Sequence, residues 1–280
     1  MADMLTVSPD ADVAPLGPDS VSWRVHADPM MWIAGLRALY LQALHPRVIR
    51  GFTQNSDFRA DTWGRLIRTA NYVGVTTFGT VEEAHRAAAR VRRIHERLDA
   101  VDPATGERYG LDQPDLLLWV HNCEVDSYLS VTRRAGLRLS DAEADAYLRE
   151  QRWRAWLVGI DPRTVPATTE ALAAYFDAAR SAAAATPEAR DAARFIVFPP
   201  MHLALNLTLA RPGWAGVGAI AFGTLPAWAR RMYGIRPPIP RVGTTAALRA
   251  LRLTALSIPR PLRQGPHVRA AKRRISAAGA

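Results

Sequence analysis

Arg65, Arg68 and Thr69 fall within about one helical turn in the stretch GRLIRTANYV (Gly64–Val73), among Leu, Ile, Tyr and Val. A guanidinium pair on a helix that reads as buried is costly unless a carboxylate, an anion or a cofactor meets it. Two histidines stand in similarly apolar settings. His95 shares a helical face with Ala84, Ala87, Ala88, Val91, Ile94 and Leu98. His121 lies one turn from both Leu117 and Val125, with Glu124 and Tyr128 beside it. A neutral imidazole reaching into an apolar cleft is the usual way for a helical protein to hold haem iron. Arginines at the rim of such a cleft pair with the haem propionates. Of the named cofactors, haem suits these residues best; the plainer alternative is two hydrogen-bonded core histidines.

Other chemistries find less support. The remaining histidines are His26, His45, His85, His202 and His267, and no two of the seven form HExxH or a pair one turn apart. His85, among Glu82, Glu83 and Arg86, reads as a surface residue. GxSxG, the P-loop pattern and GxGxxG are all missing, which removes the motif basis for a serine hydrolase, a P-loop NTPase or a Rossmann enzyme. Cys123 is the only cysteine, so neither a disulfide framework nor a cysteine zinc site can form. Lys272 is the only lysine, which confines any Schiff-base chemistry to the C-terminal tail.

The elements that must position these residues are helical. Hydrophobic content of 49% and charged content of 22% exclude wholesale disorder. Apolar residues recur every three to four positions, with no alternating run long enough for a sheet. Pro29–His45 reads as a central helix, apolar on most sides. Thr80 and Glu83 form a capping-box pattern before the helix that carries His95. The helix of His121 follows a turn-rich loop, with Asp112 or Asp115 as its cap. The expected fold class is all-α: one globin-like, multi-helix bundle around a haem pocket. It divides into a mobile leader over 1–20, a catalytic body over 21–240 and a basic helical tail over 241–280.

The tail holds almost all the charge imbalance. The chain carries +10 overall, and beyond Pro240 there are nine basic residues and no acid. With Leu248, Leu251, Leu253, Leu256 and Ile258 interleaved, this tail suits an anionic membrane surface; no nucleic-acid-binding motif accompanies it. A solvated terminal helix is the simpler reading. No basic stretch followed by an apolar one opens the chain, so no signal peptide is read. The longest apolar run, Trp214–Leu225, is twelve residues, short of the ~20 that span a bilayer. A cytoplasmic protein, with or without membrane association, is expected.

Four segments in order carry a resemblance. LQALHPRVIRGFTQNSDFRADTWGRLIRTANYVGVTTFG, VRRIHERL, YGLDQPDLLLWVHNCEVDSYL and YLREQRWRAWLVGI together resemble the catalytic domain shared by latex-clearing rubber oxygenases and MpaB-type oxygenases, from about Trp32 to Tyr233. The resemblance implies an all-α bundle that holds haem b and cleaves isoprenoid C=C bonds with O2. It implies His95 as the iron ligand, with His121 as the fallback. The family's distal helix carries Arg, then Lys-Thr three residues on; here these are Arg65 and Arg68-Thr69. Arg65 would also meet the cofactor, and Thr69 or a guanidinium would hydrogen-bond the oxygen bound opposite His95. In some relatives the lysine reaches the iron. Arg68 stays protonated and is a poor ligand, so an open or water-bound distal face is expected. The glutamate base of the rubber-cleaving members falls near Ile49 here, with His45 and Asp57 as possible substitutes. An apolar, isoprenoid- or lipid-like substrate would enter between helices rich in Trp, such as those of Trp32, Trp119 and Trp156.

Overall fold

The computed structural model describes residues 13–55, 62–201 and 208–278. Among them are fourteen α-helices and one small hairpin. The all-α expectation is met, and the hairpin is the exception to it. Strands β1 (Asp99–Val101) and β2 (Arg108–Gly110) pair antiparallel, with Ala100 opposite Tyr109. Strand β2 lies in the stretch read as a turn-rich loop and β1 where the helix of His95 is read to continue, because three residues are too few for a visible alternation. Tyr109 is buried there and donates its hydroxyl to the Arg47 carbonyl at 2.8 Å.

The centre is α2 (Met31–Gln42), packed along α6 (Pro114–Arg134) and against α10 (Ala210–Gly223). Tyr40, Leu41, Leu44 and Trp119 are fully or nearly fully buried in this layer. Full burial stabilises by about 1.5–3 kcal/mol for each large apolar side chain. One charge sits in the same layer. Arg37 is 2% exposed, meets Asp126 at 2.7 Å and donates to Ser127 Oγ at 2.7 Å, so its burial is compensated.

Helices α4 (Thr62–Phe78) and α5 (Val81–His95) form an antiparallel pair about a tight turn at Gly79. A Cβ at Gly79 would stand 2.5 Å from the Val75 carbonyl oxygen, so the turn admits only glycine. Thr80 then caps α5 with Glu83 in the reciprocal box expected of it. Ser140 and Glu143 do the same for α7 (Asp141–Leu157). For α6 the expected cap is corrected: neither Asp112 nor Asp115 caps it, and Pro114 opens it with Gln113 at the N-cap. The remaining helices of the body are α1 (Val21–His26), α3 (Pro46–Asn55), α8 (Thr169–Ala179), α9 (Pro187–Val197) and α11 (Ala227–Tyr233). Gly234, at φ 67°, ends α11 as the sequence suggests.

Both ends of the chain make contacts with the body. Val13 is 4% exposed against Ala84, Trp153 and Leu157, and Ser20 caps α1. The basic tail forms α12 (Arg241–Ser257), α13 (Arg260–Arg263) and α14 (Pro266–Ala278). Instead of projecting, α12 packs on α10 and α14 packs on α4. Gly74 of α4 allows that approach, since a Cβ there would clash with the His267 ring. Among the described residues no helix is long and apolar enough to cross a membrane.

Candidate functional site

The hydrogen-bonding of the histidines separates structural rings from available ones. His26 is buried and satisfied: Nδ1 meets Thr77 Oγ1 at 2.7 Å and Nε2 meets the Tyr147 hydroxyl at 3.1 Å. His95 and His121 differ. His95 Nδ1 and His121 Nε2 are buried and have no hydrogen-bond partner among the described residues. A native interior leaves few such groups, and each calls for a ligand or a role. His85 is half-buried rather than fully exposed: its ring packs edge-on against Trp153 and Trp156 at 5.6 and 5.4 Å. Ala84 and Ala88 of α5 are buried in one cluster with Trp153, with Trp156 packed against it.

His95 is the last residue of α5. A helix C-terminus favours a cationic imidazole, by about 0.3–1 kcal/mol. Burial works against it and prevails: the His95 pKa is lowered by desolvation, and Asp112 offsets only part of that. Asp112 is brought close because the β1–β2 hairpin folds the chain back, with Leu111 N–H donating to the Leu98 carbonyl. The ring is therefore neutral at neutral pH, with a lone pair to offer.

Across the helix pair, His95 and the Gly64–Arg65 step both lie about fifteen residues from Gly79. At 1.5 Å per residue that puts both roughly 23 Å from the turn, so the arginine-rich end of α4 is level with His95. Tyr72 in the same apolar cluster as Ala84 and Ala88 fixes this pairing. The N-terminal half of α4 is not buried as its composition suggests. Only Val73, Thr76, Thr77 and Phe78 are withdrawn from solvent; Trp63, Ile67, Arg68 and Thr69 are exposed, and Arg65 is half-buried. The Arg65 guanidinium lies over the Phe52 ring at 4.3 Å, a cation–π contact that fixes its direction. Ile67 of α4 and Ile94 of α5 are 52% and 48% exposed.

His121 belongs to a different neighbourhood. It is fully enclosed in α6, and burial followed by the nearby Arg154 charge drives its pKa down to about 3. Arg154 of α7 meets Glu124 of α6 at 3.2 Å and also donates to Gln151 Oε1 and Thr76 Oγ1. Tyr72 borders the same charges; its hydroxyl is buried without a partner, and burial raises its pKa to about 12. The charge nearest in effect to His95 is Asp112, and that to His121 is Arg154. Tyr72 and Arg154 were missed in the sequence. Tyr72 had a signal, one turn beyond Arg68 on the same helix; Arg154 had none.

Several other expected positions resolve. Ile49 is 4% exposed in the core and cannot act as a base. His45 keeps a buried, unpaired Nδ1 beside the Trp119 ring, and burial lowers its pKa. Asp57 and His202 lie outside the described residues. Trp32 is 61% exposed and Trp119 is plain core, so neither lines a cleft; Trp156 stacks on Trp153 at 5.4 Å. Among the described residues no three His, Cys, Asp or Glu side chains come together as a metal-ligand set. A single neutral imidazole, available to a metal that brings its own equatorial ligands, is what His95 supplies. That donor fits haem.

The described residues form an all-α bundle in which His95, at the end of α5, keeps a buried unpartnered nitrogen. The chain belongs to the family described as ER-bound oxygenase mpaB/B′/rubber oxygenase, catalytic domain, whose model matches residues 23–256. The match runs through α12, past the boundary read at residue 240, in keeping with the packing of α12 onto the body. No curated protein and no solved structure matches the chain.

Proposed function

We propose that this oxygenase-family chain binds haem b through His95 and uses O2 on an apolar, isoprenoid- or lipid-like substrate, with C=C cleavage as the reaction. The observation that carries the reading is the His95 ring: neutral, at the end of α5, with a buried nitrogen that bonds nothing. Bound haem would supply the iron at which dioxygen is activated. The chain's own residues do the rest. His95 donates a lone pair, and burial keeps that lone pair unprotonated. Arg65, held over Phe52, presents a permanent positive charge suited to a propionate. Thr69 offers a hydroxyl donor one turn beyond Arg65, and Arg68 adds charge without being able to ligate iron. The exposed Ile67, Ile94 and Trp63 offer apolar surface for the substrate.

The test is the absorption spectrum after haem is supplied. A Soret band in the wild type that is lost in His95→Ala supports the reading; no band, or full haem binding in the variant, refutes it. A second reading, haem binding without turnover, draws on Ile49, a buried aliphatic residue where rubber-cleaving members carry a base. It predicts a Soret band with no oxygen consumed in the presence of any isoprenoid or lipid.

A further inference from the structure

A cleft of about 340 Å³ lies between the end of α1 and the C-terminal helices. Arg24, Arg252, Arg260, Arg263 and Lys272 line it, and Asp28 is the only acid in its wall. Two of these charges are already matched. Asp28, 3% exposed at its side chain, meets Arg252 Nε at 2.8 Å, and Arg24 pairs with Glu143. No carboxylate among the described residues forms an ion pair with Arg260, Arg263 or Lys272. Lys272 Nζ donates only to the neutral Gln264 Oε1 at 3.1 Å, and Arg263 Nε is buried without a partner. Three converging cations around a cavity repel one another unless an anion sits among them.

The exposed aliphatic residues that neighbour these cations along the chain identify the source of that anion. Leu262, between Arg260 and Arg263, is 79% exposed; Leu253 and Ile258 are 67% and 44% exposed on α12 and its C-cap. Cationic side chains alternating with large exposed aliphatic ones are the pattern of helices that lie in a membrane interface. No acid follows Pro240, and the one acid in the cleft wall, Asp28, is already paired with Arg252, so the balance of charge favours an anionic lipid layer.

We propose that this cleft takes the phosphate of an anionic phospholipid headgroup through Arg260, Arg263 and Lys272, while Leu253, Ile258 and Leu262 enter the acyl boundary. Docking is thus a property of a built pocket rather than of diffuse tail charge. It does not depend on the haem reading, and the test uses no measure of haem or turnover.

The full chain is mixed with phosphatidylcholine vesicles and with equimolar phosphatidylcholine–phosphatidylglycerol vesicles, and the bound fraction is read by flotation. The wild type is expected on the anionic vesicles only. Arg260→Gln/Arg263→Gln/Lys272→Gln should weaken that binding by about a hundredfold, at about fivefold per charge. Arg249→Gln/Arg269→Gln/Arg273→Gln removes the same charge outside the cleft and should cost clearly less. Leu262→Ser, at a solvent-facing position that leaves folding intact, should also weaken binding. Equal losses from the two triple variants, equal binding to both vesicle types, or binding of inorganic phosphate or duplex DNA without vesicle binding would each overturn the proposal.

Discussion

Glu124 of α6 and Arg154 of α7 meet at 3.2 Å in the interior, where burial lowers the pKa of His121 and raises those of Tyr72, Tyr128 and Tyr147. Arg154 is itself 3% exposed and spans from α7 to Thr76 of α4. The pair therefore ties together the three helices on which Tyr72, His121 and the α4–α5 unit depend. Replacing Arg154 by Met leaves Glu124 partly buried without its partner, at a cost of about 3–5 kcal/mol. Adding Glu124→Met should recover part of that loss. Urea denaturation of the single and double variants measures both.

Acid sensitivity follows from the buried histidines. Burial lowers the pKa of His121 to about 3 and holds that of His26 well below the usual imidazole range. Below pH ~6.5 the unfolded chain takes up protons that the folded chain refuses, so stability is lost as pH falls from about 6.5 towards 3. Each such histidine contributes a slope of about 1.4 kcal/mol per pH unit in that window. His121→Asn should flatten the slope by one proton, read from unfolding free energies at a series of pH values.

The Gly74–His267 contact is expected to set how firmly the tail helices hold the body. Gly74→Ala forces the His267 ring and α14 away from α4, a loss of about 1–3 kcal/mol. His267→Ala in the same chain should restore most of it. A double-mutant cycle by thermal or chemical unfolding checks the coupling, and additive losses would show that α14 is held elsewhere.

On α4, Thr69→Val should leave haem uptake unchanged and slow oxygen consumption by about tenfold to a hundredfold, the scale of losing one donor. Arg68→Lys restores the residue found in lysine-capped relatives. It should change the resting absorption spectrum of the haem-loaded protein if the side chain reaches the iron. An unchanged spectrum would place residue 68 outside reach of the metal.

Much of this architecture was legible from local chemistry. Thr80–Glu83 announces its helix because a capping box is a short-range bond pattern. Gly234 marks the end of α11 for the same reason. Helical periodicity puts the His95 ring on the face of Ala84 and Ala88, which makes it readable as an inward-facing residue. What escaped depends on long-range packing. Residues 13–20 look disordered by composition, yet Val13 fills a gap beside Trp153. The tail looks detached by charge, yet Arg252 reaches Asp28, more than two hundred residues away in sequence. The exposure of the first half of α4 could not be read from its apolar composition, because periodicity shows which residues share a face and not whether a neighbour covers it.

The central claim is that His95, and not His121, holds the cofactor. The most direct measurement is the absorption spectrum of the haem-supplied wild type beside His95→Ala and His121→Ala. The account predicts a Soret band in the wild type and in His121→Ala, its loss in His95→Ala, and its return when free imidazole is added to that variant. An unaltered Soret band in His95→Ala, or its loss in His121→Ala alone, would contradict it.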